Sequence, residues 1–371
     1  MSPTTAPDAR RHDIDALRAM AFLFVILYHV GMYYVAGWHW HLKSPHAAEW
    51  LRWPMVAVNV WRMDLVFLIS GLAFGFLARG RTTAALVGQR ARRLLLPLAF
   101  GMAVVVPYQA YAQGMANGLV APGFCTFMLR YWAGGPWPKG AFDGSDFPMT
   151  WNHLWYLAYL FAYTVLLALL RPVLDSKAGL RLRAGFTGLR GWRLLVLPAL
   201  PLVLYTQLLA PRFPATHALV GDWYLHALYF TVFLYGHWLG VDAGVWNALA
   251  RLRRIALLAA SACLIGYLVS RSGVLRALYL WTAIAAILGF AHHHLNRPWP
   301  WLAWANESVY PWYILHQTLI IVAVVALAPL QLGPVLEPVL LVALTVLGCW
   351  ALTDGLIRRV AWLRPLFGLK R

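Results

Sequence analysis

The run IDALRAMAFLFVILYHV, residues 14–30, decides how the whole chain is read. It is apolar and of helix length, yet it carries Asp15 and Arg18 at its start and His29 well inside. Each helical residue turns the chain by roughly 100° and advances it by roughly 1.5 Å. Arg18 and His29 are then roughly 20° apart around the axis, and Asp15 and His29 roughly 40°. The three form one stripe, with His29 roughly 16 Å deeper than Arg18. Such a stripe cannot face lipid, so it faces a protein interior or a wet cavity. A charged helix end and one hydrogen-bonded buried histidine account for the same residues without any chemistry.

Composition sets the class. The 371 residues are 61% hydrophobic, 15% aromatic and 12% charged, with a mean hydropathy of +0.62. About a quarter of a soluble domain is charged, so this chain has too little polar surface to cover a soluble fold. Repeated apolar runs of about 20 residues define an all-α, polytopic transmembrane bundle in the lipid bilayer. The short alternating strands of a transmembrane barrel are absent from the sequence. The net charge of +18 raises nucleic acid as a partner, but its distribution argues against one. With the topology below, 23 of the 31 Lys and Arg fall on one side, which is the positive-inside bias and puts both termini in the cytoplasm. Cys125, Cys263 and Cys349 are scattered and odd in number, so they define neither a disulfide framework nor a metal site. Arg10-Arg11 precede the first apolar run without a small-residue cleavage site, so that run is read as a retained span.

About ten spans are expected, near residues 14–35, 56–78, 94–112, 151–170, 194–210, 223–239, 255–269, 275–291, 306–327 and 335–357. They divide the chain into a cytoplasmic leader (1–13), a membrane domain (14–357) and a basic cytoplasmic tail (358–371). Residues 38–53, WHWHLKSPHAAEWLRW, suit an interfacial loop on the far side that holds His39, His41 and His46. Residues 79–93 are a cytoplasmic turn. Residues 113–150 form a long far-side segment with an interfacial or re-entrant piece near 123–132.

Ionisable groups inside apolar helices are functional hypotheses by default. Here they are Asp15, Arg18, His29, Arg62, Asp64 and His316, with His153 at a helix start. A histidine titrates near neutrality and can act as a general base, though each can equally be an interhelical hydrogen-bond partner. Arg62 and Asp64 are two residues apart, so they point in different directions and find separate partners. Arg90 and Arg93, in RARRLLLP, share one helical face and suit bidentate contacts with phosphate, although the positive-inside bias also explains them. The triplet His292 to His294 spreads over different helix faces, which argues against a metal site. No nucleotide-binding glycine loop or G-x-S-x-G elbow occurs in a suitable context.

Taken together, these features resemble the acyltransferase 3 family of multi-span membrane acyltransferases. The matching pieces are Arg18-x10-His29, VFLISG (66–71), Arg90-x-x-Arg93 with Pro97, and YPWYILHQ (310–317), which includes Tyr313. WHWHLKS, RMDLVFLISG, NHLWYL and RPLFGLK are similar to the branch typified by glucan biosynthesis protein C, which succinylates periplasmic glucans. The sequence departs from these relatives at Ala16 and Ala19, at Leu65-Val66-Phe67, and at Glu307.

The resemblance implies a bacterial inner-membrane O-acyltransferase with no permanently bound cofactor. Its donor would be acyl-CoA, succinyl or acetyl, and its acceptor a carbohydrate hydroxyl. His29 would be the general base, or alternatively an acyl-carrying nucleophile, with Arg18 and Asp15 beside it. Arg90 and Arg93 would hold the donor phosphates. Arg62, Asp64, His153, His316 and Tyr313 would face substrate, Arg62 or His316 stabilising the oxyanion. A transporter using the same groups as a relay is the alternative, and self-association is left open.

Overall fold

In the computed structural model the described residues are 11–78, 80–240 and 242–370, so residues 1–10 of the expected leader lie outside them. The chain opens with α1 (His12–Tyr34) and α2 (Arg52–Ala78). Next, α3 (Thr83–Phe100) passes through a π-helical turn (Gly101–Val105) into α4 (Pro107–Ala116). A short α5 (Phe124–Trp132) follows, then α6 (Trp155–Leu174), α7 (Lys177–Thr187), α8 (Trp192–Val196) and α9 (Ala199–Leu208). The remainder is α10 (Trp223–Leu239), α11 (Ala243–Ser270), α12 (Gly273–His294), α13 (Leu302–Leu327), α14 (Gly333–Leu352) and the one-turn α15 (Leu363–Leu366).

Among the described residues, eight helices are long and apolar enough to cross a membrane. The pair Lys177–Thr187 and Trp192–Leu208, bent by 112°, makes a ninth if it is one span. Helix α10, at 17 residues, matches the expected sixth span but is roughly 26 Å long, short of the roughly 30 Å hydrocarbon core. The only strand-like pairing among the described residues is an isolated bridge between Val35 and Ala48. The architecture is an all-α polytopic bundle.

The two largest boundary differences from the sequence reading are early helix starts, at α3 and α11, each fixed by a side-chain cap. Thr82 accepts from the Ala85 amide, so Arg90 and Arg93 stand on α3 rather than in a turn. Asp242 accepts from the amides of Gly244 and Val245, so Arg251, Arg253 and Arg254 lie within α11. The expected interfacial piece near 123–132 is α5, which buries Phe127 and Tyr131 and exposes Leu129 and Trp132.

Lipid supplies no hydrophobic drive between helices, so they associate by close approach at small residues. A Cβ on Gly71 would lie 1.9 Å from the Phe233 carbonyl oxygen, and one on Gly236 would lie 2.0 Å from that of Leu68. These two glycines fix α2 against α10 and so set the face that α2 turns to the core. At one end of α1, fully buried Asp13 accepts from Arg11 (2.7 Å) and pairs with His292 of α12 (2.8 Å). At the other end, the Tyr34 hydroxyl donates to Glu337 of α14 (2.8 Å).

Candidate active site between two cavities

Helix α1 turns its polar stripe to α13. Arg18 Nη1 donates to Asn306 Oδ1 (3.5 Å), and Asn306 Nδ2 donates to the Asp15 carbonyl (3.1 Å). Arg18 lines a narrow cleft of about 120 Å³ together with Arg90 and Arg93 of α3. Arg90 is buried and its Nε has no hydrogen-bond partner. Exposed Arg93 holds its guanidinium 5.2 Å from the Tyr310 ring centroid. Three arginines from two helices thus converge at one end of the bundle.

His29 opens on a second cavity, a vestibule of about 900 Å³ at the opposite end, walled by Trp40, Trp151, Trp155, His153, Asp143 and His217 among others. Tyr313 separates the two spaces. Its ring meets Phe22 edge-on at 5.7 Å and Tyr156 at 5.8 Å, and all three rings line the arginine cleft. On its other side, the same ring lies 5.7 Å from His153 and 6.1 Å from His316. One aromatic layer therefore divides the cleft from the histidines.

The partners fix which nitrogen of each neutral histidine carries hydrogen, because a carbonyl can only accept. His29 Nδ1 donates to the Val25 carbonyl (2.8 Å), which leaves Nε2 as a free lone pair. His316 Nδ1 donates to the Tyr313 carbonyl (2.7 Å), so its Nε2 accepts, 3.4 Å from His29 Nδ1. His153 Nε2 donates to the carbonyls of Tyr313 (3.1 Å) and Ile314 (3.2 Å), and its Nδ1 accepts from Gln109 Nε2 (3.3 Å). The Tyr313 hydroxyl donates to the His153 carbonyl (2.5 Å). His316 and Tyr313 have thus committed their hydrogens within the protein, and neither is set up as an oxyanion donor.

A second polar layer went unrecognised in the sequence. Gln109 Oε1 accepts from Asn152 (3.0 Å) and from Gln317 (2.9 Å). The Gln317 amide reaches His41 Nε2 (2.8 Å), and His41 Nδ1 donates to Gln113 Oε1 (2.6 Å). Gln113 Nε2 in turn donates to Asp143 (3.1 Å), which also takes His39 (2.9 Å). His41, expected at the interface, is instead buried, because its loop folds back onto α4 and α13. Burial pushes its imidazole below the usual value, against the pull of Asp143. Burial would raise the Asp143 carboxyl, but His41, His39 and Gln113 hold it below the usual range. The signal for this layer was Gln109 and Gln113, two amides one turn apart in an apolar helix.

Arg62 and Asp64 diverge as their spacing requires. The Arg62 guanidinium stacks 3.4 Å from the Tyr28 ring centroid, while Asp64 feels the charge of Arg276 on α12. His292, from the histidine triplet, serves the Asp13 pair, and no metal-holding cluster occurs among the described residues.

Two cavities thus enter the bundle from opposite ends, one lined by Arg18, Arg90 and Arg93 and the other by His29 and His153. A family model described as an acyltransferase domain matches residues 11–354, and the chain belongs to this acyltransferase 3 family. It is a multi-pass membrane acyltransferase. No curated protein gives a significant match to it.

Proposed function

We propose that the enzyme transfers a succinyl or acetyl group from cytoplasmic acyl-CoA to a carbohydrate hydroxyl on the far side of a bacterial inner membrane, as in the glucan-modifying branch. Both termini are then cytoplasmic and the chain makes about ten crossings. The CoA phosphates rest at the mouth of the cleft on Arg18, Arg90 and Arg93, where guanidinium groups give charge-assisted hydrogen bonds. The pantetheine arm runs inward and displaces the contact between Phe22 and Tyr313. The acceptor arrives through the vestibule, whose tryptophans offer flat apolar faces to a sugar ring.

As the acceptor oxygen attacks the thioester carbon, His29 Nε2 takes its proton. The imidazolium so formed is held at Nδ1 by the Val25 carbonyl and His316 Nε2. Collapse of the tetrahedral intermediate breaks the C–S bond, and the imidazolium returns the proton to the CoA thiolate. An ester and free CoA leave, with no net proton.

The observation that carries this reading is the His29 ring. Its Nδ1 is pinned to a carbonyl, which leaves Nε2 free, and the residue lines the vestibule. His29→Ala tests it: transfer from acyl-CoA should fall roughly 10²–10⁴-fold while protein level stays near normal. Retention of most of the wild-type turnover would remove His29 from the chemistry. Mass spectrometry of envelope glycans from a deletion strain would identify the acyl group through the mass lost.

A further inference from the structure

Arg62 is a buried charge that this reaction scheme does not use. It sits in the middle of α2, 9% exposed, and its Nε and Nη1 have no hydrogen-bond partner. Its electrostatic neighbours include Tyr28, Tyr229, His29 and His316, none of them a carboxylate, and the charge that acts on Asp64 is that of Arg276. An unpaired guanidinium inside a membrane bundle is strongly unfavourable, and one tyrosine face offsets only part of that cost. An anion brought by a substrate would complete the pairing.

The fold indicates which part of the substrate carries it. Val66, Ile69, Ser70, Ala73 and Leu77 form the stripe of α2 that lines the arginine cleft. Arg62 is the next position on that stripe, one turn or roughly 6 Å beyond Val66 and away from the cleft mouth. Tyr28, beneath its guanidinium, is the chain neighbour of His29 and donates to Asn59 of α2 (3.0 Å). Arg62 therefore stands at the depth of His29, in line with the cleft. A donor held by its phosphates at the cleft mouth presents first its arm, then its thioester, and last the free end of its acyl group.

We infer that Arg62 binds a carboxylate at the free end of the transferred acyl group, so that the enzyme selects a dicarboxylic acyl-CoA such as succinyl-CoA over acetyl-CoA. The inference rests on the acyl-CoA reading above. A guanidinium recognises a carboxylate by charge and by paired hydrogen bonds, whereas a methyl group at that place leaves it unpaired.

Calorimetric titration of the purified full-length protein tests this with three ligands: succinyl-CoA, acetyl-CoA, and succinyl-CoA with its free carboxylate capped as a methyl ester. Wild-type protein should prefer succinyl-CoA to both others by roughly 10- to 150-fold, as for charge-assisted pairing. In Arg62→Met the preference should collapse toward one. The capped ligand needs no variant, so the test holds even if Arg62→Met fails to fold. Equal wild-type affinity for all three ligands overturns the inference while leaving acyl-CoA as the donor. A parallel loss of all three in Arg62→Met, with the preference intact, also overturns it and moves Arg62 to a part of the donor that all three share. Folded wild-type protein that binds none of them overturns the acyl-CoA reading itself, and this inference with it.

Discussion

His316 presents Nε2 3.4 Å from Nδ1 of His29, and each ring is pinned by a backbone carbonyl of its own helix, Tyr313 and Val25 respectively. The pair couples α13 to α1. If His29 is the base, this contact makes His316 a residue that positions the His29 ring.

Removing that acceptor leaves Val25 to hold the ring alone. His316→Ala should lower kcat about tenfold, the worth of one ordinary hydrogen bond, with KM for the donor little changed. Its kcat profile should also shift in pH, because the imidazolium of His29 loses a partner. A change in KM alone, with the pH profile fixed, would contradict the positioning role.

Donor binding should depend more on Arg90 than on Arg93. Arg90 is buried with an unpartnered Nε, whereas Arg93 is exposed over Tyr310. Arg90→Ala should weaken acyl-CoA binding about 10- to 150-fold, and Arg90→Lys should restore only part, since lysine lacks the planar fork. If the cluster served topology alone, lysine would substitute fully. Titration with acyl-CoA separates the two outcomes.

Close approach at Gly71 has its own test. Alanine there must push α2 from α10, because its Cβ would sit 1.9 Å from a carbonyl oxygen. The cost should be of order 3 kcal/mol or more, seen as a lower thermal midpoint. Gly88→Ala on exposed α3, with nothing within 4 Å, should be neutral or stabilise by up to about 1 kcal/mol. Equal effects at the two sites would contradict the packing account.

Acid should loosen the loop before α10. Burial holds the His217 imidazole down to about 4, against the pull of Asp222. The unfolded chain therefore binds this proton more readily than the folded one. The contribution is whole above about pH 6.5 and falls as pH drops toward about 4, by up to about 1.4 kcal/mol per pH unit. His217→Asn, which tolerates the positive φ of 56°, should flatten the fall in thermal midpoint over that window. An unchanged slope would place the acid sensitivity elsewhere.

The sequence reached part of this site, and the reasons are physical. Helical periodicity put Arg18 and His29 on one stripe, and both do face α13, through Asn306 and His316. Periodicity along one helix could not show that the stripe serves two cavities, because Tyr313 comes from a helix nearly 300 residues later. Nothing local marks the pairing of Asp13, since its partner His292 is 279 residues away. The amide layer of Gln109, Gln113 and Gln317 leaves little trace in the sequence, because uncharged amides stand out in an apolar helix far less than ionisable groups do. The early starts of α3 and α11 were signalled by Thr82 and Asp242, caps that apolar runs alone do not reveal.

The central claim is that donor and acceptor reach His29 from opposite faces of the membrane. Sealed proteoliposomes test it most directly, with acyl-CoA confined to one side, carbohydrate acceptor to the other, and orientation assigned by protease access to the chain. The account predicts acylated product on the acceptor side when acyl-CoA bathes the arginine-rich end, and almost none with the two substrates exchanged or with His29→Ala protein. Equal product in both arrangements, or product only when both substrates share one compartment, would contradict it.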